Sequence, residues 1–281
     1  MSRSTTGFGP KEDKISFMKL KRKTVTTLLV AGGATLGALY VLTHVRGPSG
    51  RPLLSLGGAL KPGSYEFPFD DAQRLLSGQK NGGYVHVPEG ATSSSPILVW
   101  LHGNNEEGVM RRGVGAPGND LRKMVPSDVI VAAPSQTRGG KGPSLWAGFD
   151  LDAFLTAVEA AIGGKVDRKN VILAGHSGAG CNGALGMIGK LDKLMPQQIL
   201  FIDGCMDPGI GQKLGEVGKK TKVMVFFQRA TWNRDFPGFA RAFGQNGSIE
   251  EIKSFPSGYG NPHEAIVPVA LQRAFGTTPV A

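Results

Sequence analysis

The chain of 281 residues is long enough to bury a sizeable core, and α/β folds of this size commonly form one domain. Its net charge of +10 is concentrated at the N-terminus. Residues 1–51 hold nine Lys or Arg against two acidic residues, which gives +7. The other 230 residues carry 23 basic and 20 acidic side chains, which gives +3. Nucleic-acid-binding proteins cluster positive charge on the folded domain, so this distribution argues against a nucleic-acid partner.

An apolar run near the N-terminus predicts a membrane segment. Residues 24–45, TVTTLLVAGGATLGALYVLTHV, contain no charged side chain and are about long enough to cross ~30 Å of hydrocarbon as a helix. A basic leader, residues 1–23, precedes the run and ends in four basic side chains, which predicts a cytoplasmic N-terminus and an anchored domain outside the cytoplasm, periplasmic or extracellular. A cleaved signal peptide, giving a secreted protein, is the alternative.

The rest of the chain predicts a tether followed by one α/β domain. Residues 46–63 are rich in Gly and Pro, and from residue 64 to residue 281 short apolar runs alternate with longer amphipathic ones. Continuous apolar strands separated by helices indicate a mostly parallel sheet covered on both faces, with ligands bound at the carboxyl ends of its strands. The predicted strands cover 84–87, 96–101, 128–133, 171–174, 198–202, 222–227 and 251–255, and the predicted helices 149–162, 180–191 and 263–275.

The stretch VILAGHSGAG, residues 171–180, places Ser177 between small residues directly after a buried strand. A strand, a sharp turn and a helix form the setting of a nucleophile elbow, in which the serine is strained and its hydroxyl exposed. Small residues two positions before and after the serine let the strand and helix approach closely, and Gly175 and Ala179 meet that need. The pattern predicts Ser177 as a nucleophile, with an ordinary glycine-rich turn as the alternative.

A serine nucleophile needs a histidine base that a carboxylate orients. In this setting the chain order is serine, acid, histidine, and of the five histidines only His263 follows Ser177. It lies in SGYGNPHEAIV, between the last predicted strand and the last predicted helix. His263 is therefore the predicted base, and a surface histidine at a helix start is the alternative.

Two aspartates compete for the role of the acid. Asp203 directly follows the strand at 198–202, at the same edge of the sheet as Ser177, and strand ends are rigid places for an orienting group. Asp235 comes after the next strand and is the second candidate, although it could merely cap a helix. Asp203 is the preferred acid.

Attack on a carbonyl generates an oxyanion, which needs preorganised N–H donors. LHGNN, residues 101–105, follows a strong predicted strand, so the main-chain N–H groups of Asn104 and Gly178 are the predicted donors, with His102 bracing the loop. Trp146, in the glycine-rich loop 134–150, is a candidate for lining an acyl or aryl pocket, with plain packing as the alternative.

Cys181 and Cys205 are the only cysteines, so a cysteine-based zinc cluster is excluded. Each follows a predicted triad residue by a few positions, which makes them candidate neighbours in space. Export from the cytoplasm permits a disulfide between them, and two free buried thiols are the alternative.

Together LHGNN, GHSGAG and the late histidine in NPHEA resemble the α/β-hydrolase superfamily over roughly residues 80–276. YVHVP, PILVWLHGNN and VDRKNVILAGHSGAG are similar in layout to the feruloyl esterase and polyhydroxyalkanoate depolymerase type of carboxylesterase. The resemblance implies a Ser, Asp, His acyl-enzyme mechanism without cofactor or metal, acting on an ester-bearing small molecule or polymer. The sequence departs from the superfamily pattern at Ala179 and in having no aspartate directly after KVMVFF, where many members place their acid.

Two other functions stay open from the sequence alone. An amidase or peptidase uses the same triad. A non-catalytic binding or assembly protein can also retain a hydrolase fold, because fold does not settle function.

Overall fold

The computed structural model describes residues 58–69, 82–103, 120–135, 146, 149–181, 186–189, 191–230 and 235–277, all of which belong to the compact unit Leu54–Ala281. The predicted leader at 1–23, the membrane segment at 24–45 and most of the predicted tether lie outside the described residues. No helix within the described ranges combines the length and the apolar character that crossing a membrane demands. The described chain starts inside the predicted tether, where Leu60 is buried and its N–H donates to the carbonyl of Ala91.

An eight-stranded sheet runs through the described residues in the order β1-β2-β4-β3-β5-β6-β7-β8. Strand β2 is antiparallel to both of its neighbours, and the strands from β4 across to β8 are parallel. This arrangement confirms the predicted mostly parallel sheet. The strands are β1 (Gly63–Pro68), β2 (Gly82–Val87), β3 (Ile97–Leu101), β4 (Ile130–Ser135), β5 (Val171–His176), β6 (Gln198–Ile202), β7 (Lys222–Phe227) and β8 (Ser248–Glu251).

Helices cover both faces of the sheet, as predicted, because alternate side chains of each apolar strand point to opposite sides. Val99 and Leu101 of β3 join the core beneath α1 (Leu151–Ile162), α2 (Pro208–Gly218) and α3 (Phe236–Phe243). Leu98 and Trp100 of the same strand join the core beneath α4 (Pro262–Phe275). A strand buried on both faces has no polar side to display, which is why these runs are continuously apolar.

Helix α2 was not predicted, because its sequence PGIGQKLGEVG carries four glycines, which disfavour helix in isolation. The glycines serve the packing of α2 against α3. A Cβ at Gly211 or Gly215 would come within 2.5 Å of the carbonyl oxygen of Phe239 or Phe243, respectively. Close contact between the two helices therefore offsets the weak local propensity.

Two predicted elements are wrong in part. The last strand occupies Ser248–Glu251 rather than the predicted residues 251–255, so it lies almost entirely before the predicted range. A helix predicted over 180–191 is replaced, in the described residues, by a 3-10 turn at Ser177–Gly180 and by turns at 186–189. Glycines at 183, 186 and 189 weaken a helix there.

Candidate active site

The carboxyl ends of four neighbouring strands bring the predicted site residues together. Leu101 of β3 pairs with Gly175 of β5, and His176 pairs with Ile202 of β6. Ile202 in turn pairs with Phe226 of β7. The residues that follow β3, β5, β6 and β7 therefore emerge side by side at one edge of the sheet, which we call the carboxyl edge.

Ser177 lies on a tight, strained turn at the carboxyl edge. Its φ is +56°, a left-handed conformation that non-glycine residues adopt rarely and at functional sites more often than elsewhere. Gly175 is required beside it, because a Cβ there would lie 2.4 Å from Sδ of Met187 and 3.3 Å from Cβ of Ala179. The small residues on both sides of Ser177 therefore have the packing role that the elbow pattern demands.

Asp203 and His263 form a partly buried hydrogen bond. His263 Nδ1 donates to Oδ2 of Asp203 over 2.5 Å, since an ionised carboxylate can only accept. The Asp203 side chain is fully buried and the His263 side chain is 16% exposed. With Nδ1 held in this way, Nε2 is the nitrogen that can act as a base.

The other candidate acid, Asp235, is engaged elsewhere. It is the N-cap of α3, and its Oδ1 accepts a 3.0 Å hydrogen bond from the main-chain N–H of Gly238. A Cβ at Gly238 would come within 2.2 Å of that carboxylate, so the cap is closely packed. The structure thus places Asp203 against the predicted base and Asp235 on a helix end.

Gln228, which sequence reasoning missed, holds the Asp203 carboxylate. It directly follows β7, is 1% exposed, and donates its side-chain Nε2 to Oδ2 of Asp203 over 2.8 Å. Its main-chain N–H donates to Oδ1 over 3.3 Å. The signal in the sequence is the polar residue directly after KVMVFF, at the position where many members of the superfamily have the acid and this chain has a glutamine.

His176 connects the serine turn to the predicted base. Its Nε2 donates a 2.8 Å hydrogen bond to the main-chain carbonyl of His263, and the two imidazole centroids are 4.4 Å apart. On its other side the His176 ring stacks with Trp100 at 6.1 Å. Because His176 immediately precedes Ser177, one residue fixes the position of the base relative to the serine turn.

The segment after β3 lies against Ser177. A Cβ at Gly103 would be 2.7 Å from Cβ and 3.2 Å from Oγ of Ser177, so the main chain of Gly103 touches the serine. Gly178, the second predicted oxyanion donor, is buried in the turn at Ser177–Gly180. Asn104, the first, lies outside the described residues.

His102 and Trp146 support the segment that follows β3 through hydrogen bonds to its main chain. Burial lowers the pKa of His102 to about 4, so the ring is neutral and its Nδ1–H donates to the carbonyl of Gly103 over 2.9 Å. Trp146 is 1% exposed, packs edge-on against His102 and donates its Nε1–H to the His102 carbonyl over 2.9 Å. Trp146 therefore packs in the core rather than lining a pocket. The contacts of His102 fit the bracing role predicted for it.

Cys181 and Cys205 form a disulfide, which decides between the two alternatives left by the sequence. Cys181 ends the turn that carries Ser177, and Cys205 lies two residues after Asp203. Among the described residues no group of three or more His, Cys, Asp or Glu side chains is placed to hold a metal ion.

Comparison with solved structures finds esterases that resemble this chain in fold. An arylesterase aligns over 76% of this chain and 83% of its own length with a TM-score of 0.50 at 12% identity. Est1E from Butyrivibrio proteoclasticus aligns over 72% of this chain and 95% of its own with a TM-score of 0.47 at 13% identity. A thermostable esterase gives 0.45 at 18% identity over 75% of this chain, which covers 61% of that esterase. No protein-family model matches the sequence, and no curated protein matches it either.

Proposed function

We propose that this protein, whose fold is that of the α/β hydrolases, is a serine hydrolase that cleaves a carboxylic ester. The observation that carries the proposal is the hydrogen bond from His263 to the buried Asp203, made at the same edge of the sheet as a serine held at φ +56°. A base oriented by a carboxylate next to a strained serine is the arrangement that activates a hydroxyl nucleophile.

In the proposed reaction Ser177 Oγ attacks the ester carbonyl while Nε2 of His263 takes the hydroxyl proton. Asp203 keeps the imidazole in the Nδ1–H tautomer and stabilises the imidazolium without itself becoming protonated. Main-chain N–H groups of Gly178 and Asn104 would hold the developing oxyanion. His263 then returns the proton to the leaving alcohol. In the second half of the reaction water attacks the acyl group while His263 takes its proton, and His263 returns that proton to Ser177 Oγ as the acid is released.

A rigid frame supports this assignment. Gln228 fixes the carboxylate, His176 fixes the main chain of the base, and Gly103 leaves room for the serine. Catalytic groups must be held within about 0.5 Å of the productive geometry by neighbours that are themselves locked. A protein that only binds ligands has no need for these restraints around a serine, a histidine and an aspartate together.

An ester is the proposed substrate because the arylesterase shares the fold over most of its length. An amidase or peptidase would use the same triad, so matched ester and amide substrates with the same acyl group form part of the test. Turnover of the amide at the rate of the ester would replace the ester assignment with the amidase one.

We also propose that the catalytic domain acts outside the cytoplasm, tethered through residues 24–45 or secreted after cleavage. The apolar run and its basic leader support this, as does a disulfide, which persists in oxidising compartments. The N-terminal sequence and membrane partitioning of the chain isolated from its cells test it. A full-length protein in the soluble cytoplasmic fraction would contradict the proposal.

The decisive experiment on the function is labelling of the full chain with a fluorophosphonate, followed by intact-mass measurement. We expect one adduct on the wild type and none on Ser177→Ala or His263→Ala, with circular dichroism showing that both variants fold. Ser64→Ala is a matched control, because Ser64 Oγ lies 3.0 Å from Nδ1 of His86 but belongs to the edge strand β1. Equal labelling of Ser177→Ala and the wild type would reject the proposal.

A further inference from the structure

The disulfide between Cys181 and Cys205 joins two turns that each carry a member of the proposed triad. Cys181 is four residues after Ser177, at the end of the turn Ser177–Gly180. Cys205 is two residues after Asp203, in the connection from β6 to α2. The cross-link therefore spans the two segments whose relative position sets the distance from the nucleophile to the acid.

Both turns hold their triad residue in a conformation that the surroundings must enforce. Ser177 has a φ of +56° and Asp203 a φ of +47°, and neither is a glycine. Backbones in this region are strained for residues other than glycine and persist where neighbouring contacts over-determine them. A covalent bond within a few residues of each is such a contact.

The ring of Phe201 packs against both cysteine-bearing segments. A Cβ at Gly180, just before Cys181, would lie 2.4 Å from the Phe201 ring, and a Cβ at Gly204, just before Cys205, would lie 2.5 Å from it. Both main chains thus pack closely against the same side chain. The disulfide adds a covalent link between these segments, whose other restraints are packing against the ring and hydrogen bonds made within each turn or to Asp203.

We propose that the Cys181–Cys205 disulfide is a positioning cross-link for the triad, so that reducing it slows turnover in a protein that stays folded. The proposal rests on the proposed function. Release of the cross-link lets the turn at Asp203 relax from its left-handed conformation, and His263 follows because its Nδ1 is bonded to that carboxylate. Misplacement of a catalytic group by about 1 Å can cost on the order of 100-fold in rate.

The cross-link is open to a small reductant. Cys181 and Cys205 are both half-buried, so a dithiol such as dithiothreitol can reach the sulfurs. Its thiolate attacks one sulfur to form a mixed disulfide, and its second thiol then displaces that sulfur. The Cys181–Cys205 bond is broken and both cysteines end as thiols, while the reagent, which supplies the two electrons and two protons, leaves as a cyclic disulfide.

The test compares the oxidised full chain, the chain reduced with dithiothreitol, and the variant Cys181→Ala/Cys205→Ala. With p-nitrophenyl acetate as the probe we expect kcat to fall at least about tenfold on reduction, with KM changed less than about twofold. The double variant should start at the lowered kcat and ignore dithiothreitol, because it has no cysteine left. Reoxidation of the wild type should restore kcat.

Folding is followed in the same samples by near-ultraviolet circular dichroism and urea titration. A reduced wild type that keeps both its native spectrum and its full kcat overturns the proposal. A loss of kcat that only tracks the unfolded fraction also overturns it, because the cross-link would then hold the fold and not the site. If the double variant fails to fold, the reduced and reoxidised wild type still decide the matter.

A second readout separates this inference from the proposed function. The proton in the short bond between His263 and Asp203 should give a low-field nuclear magnetic resonance signal that His263→Ala lacks. We expect reduction to shift or broaden that signal, whether or not the protein turns over an ester. Failure of fluorophosphonate labelling in the oxidised wild type rejects the function, whereas an unchanged low-field signal on reduction rejects the positioning role.

Discussion

His263 donates a 2.5 Å hydrogen bond to Asp203 across 60 residues of sequence, joining the first turn of α4 to the end of β6. The pairing depends on the sheet, because β6 delivers the carboxylate to the carboxyl edge while the N-terminus of α4 delivers the imidazole. Gln228, at the end of the neighbouring β7, donates a second hydrogen bond to the same carboxylate oxygen. The geometry of the proposed acid and base is therefore set by three separate elements.

Asp203→Asn should reduce kcat by about four orders of magnitude, because an amide neither carries the charge that stabilises the imidazolium nor enforces the required tautomer. Asp235→Asn should leave kcat within about twofold, since asparagine caps a helix as well as aspartate does. Steady-state kinetics on the two purified variants checks this pair. Similar losses in both would contradict the assignment of the acid.

Gln228→Met should lower kcat about tenfold and leave KM unchanged, because it removes the Nε2 donor to a buried carboxylate while keeping the volume. The matched control is Gln198→Met, which makes the same substitution at the start of β6, where Gln198 is half-buried and contacts Met224. If kcat of Gln228→Met equals that of the control, Gln228 only fills space.

Gly103→Ala should abolish most activity by direct displacement of the serine. The added methyl would meet Ser177 Cβ at 2.7 Å, closer than real Cβ atoms approach, so Ser177 or the β3 segment must shift. We expect fluorophosphonate labelling to slow by about 100-fold. Gly209→Ala, at an exposed position of α2 where the nearest atom is 3.3 Å away, should label at the wild-type rate.

His102 should make stability fall as the pH is lowered from 6.5 towards 4. Burial lowers the pKa of the folded-state imidazole to about 4, whereas the unfolded chain takes up a proton near pH 6.5. Above pH 6.5 neither state is protonated and the full stability is present, and between the two pKa values protonation favours the unfolded chain by up to about 3 kcal/mol.

Urea unfolding of the wild type and His102→Asn at pH 7 and pH 4.5 measures this contribution. The wild type should lose more stability than the variant across that interval, because asparagine does not titrate. The same loss in both proteins would place the pH dependence on other groups.

Elements with local signals follow from the amino-acid sequence alone. Continuous apolar runs set the central strands, since a strand buried on both faces has no polar alternation to show, and β6 and β7 have the predicted bounds. The small residues around Ser177 likewise predict the turn. The position of His263 after Ser177 in the chain predicts the base.

Contacts between distant segments depend on the tertiary structure. Asp203 and Asp235 both follow a strand that ends at the carboxyl edge, and only the placement of α4 brings one of them within 2.5 Å of His263. The pairing of Cys181 with Cys205 and the glycine-rich helix α2 have the same origin, because each is stabilised by packing between segments far apart in the chain. Local composition carries no information about such contacts, because they form only when segments that are separate in the sequence pack together.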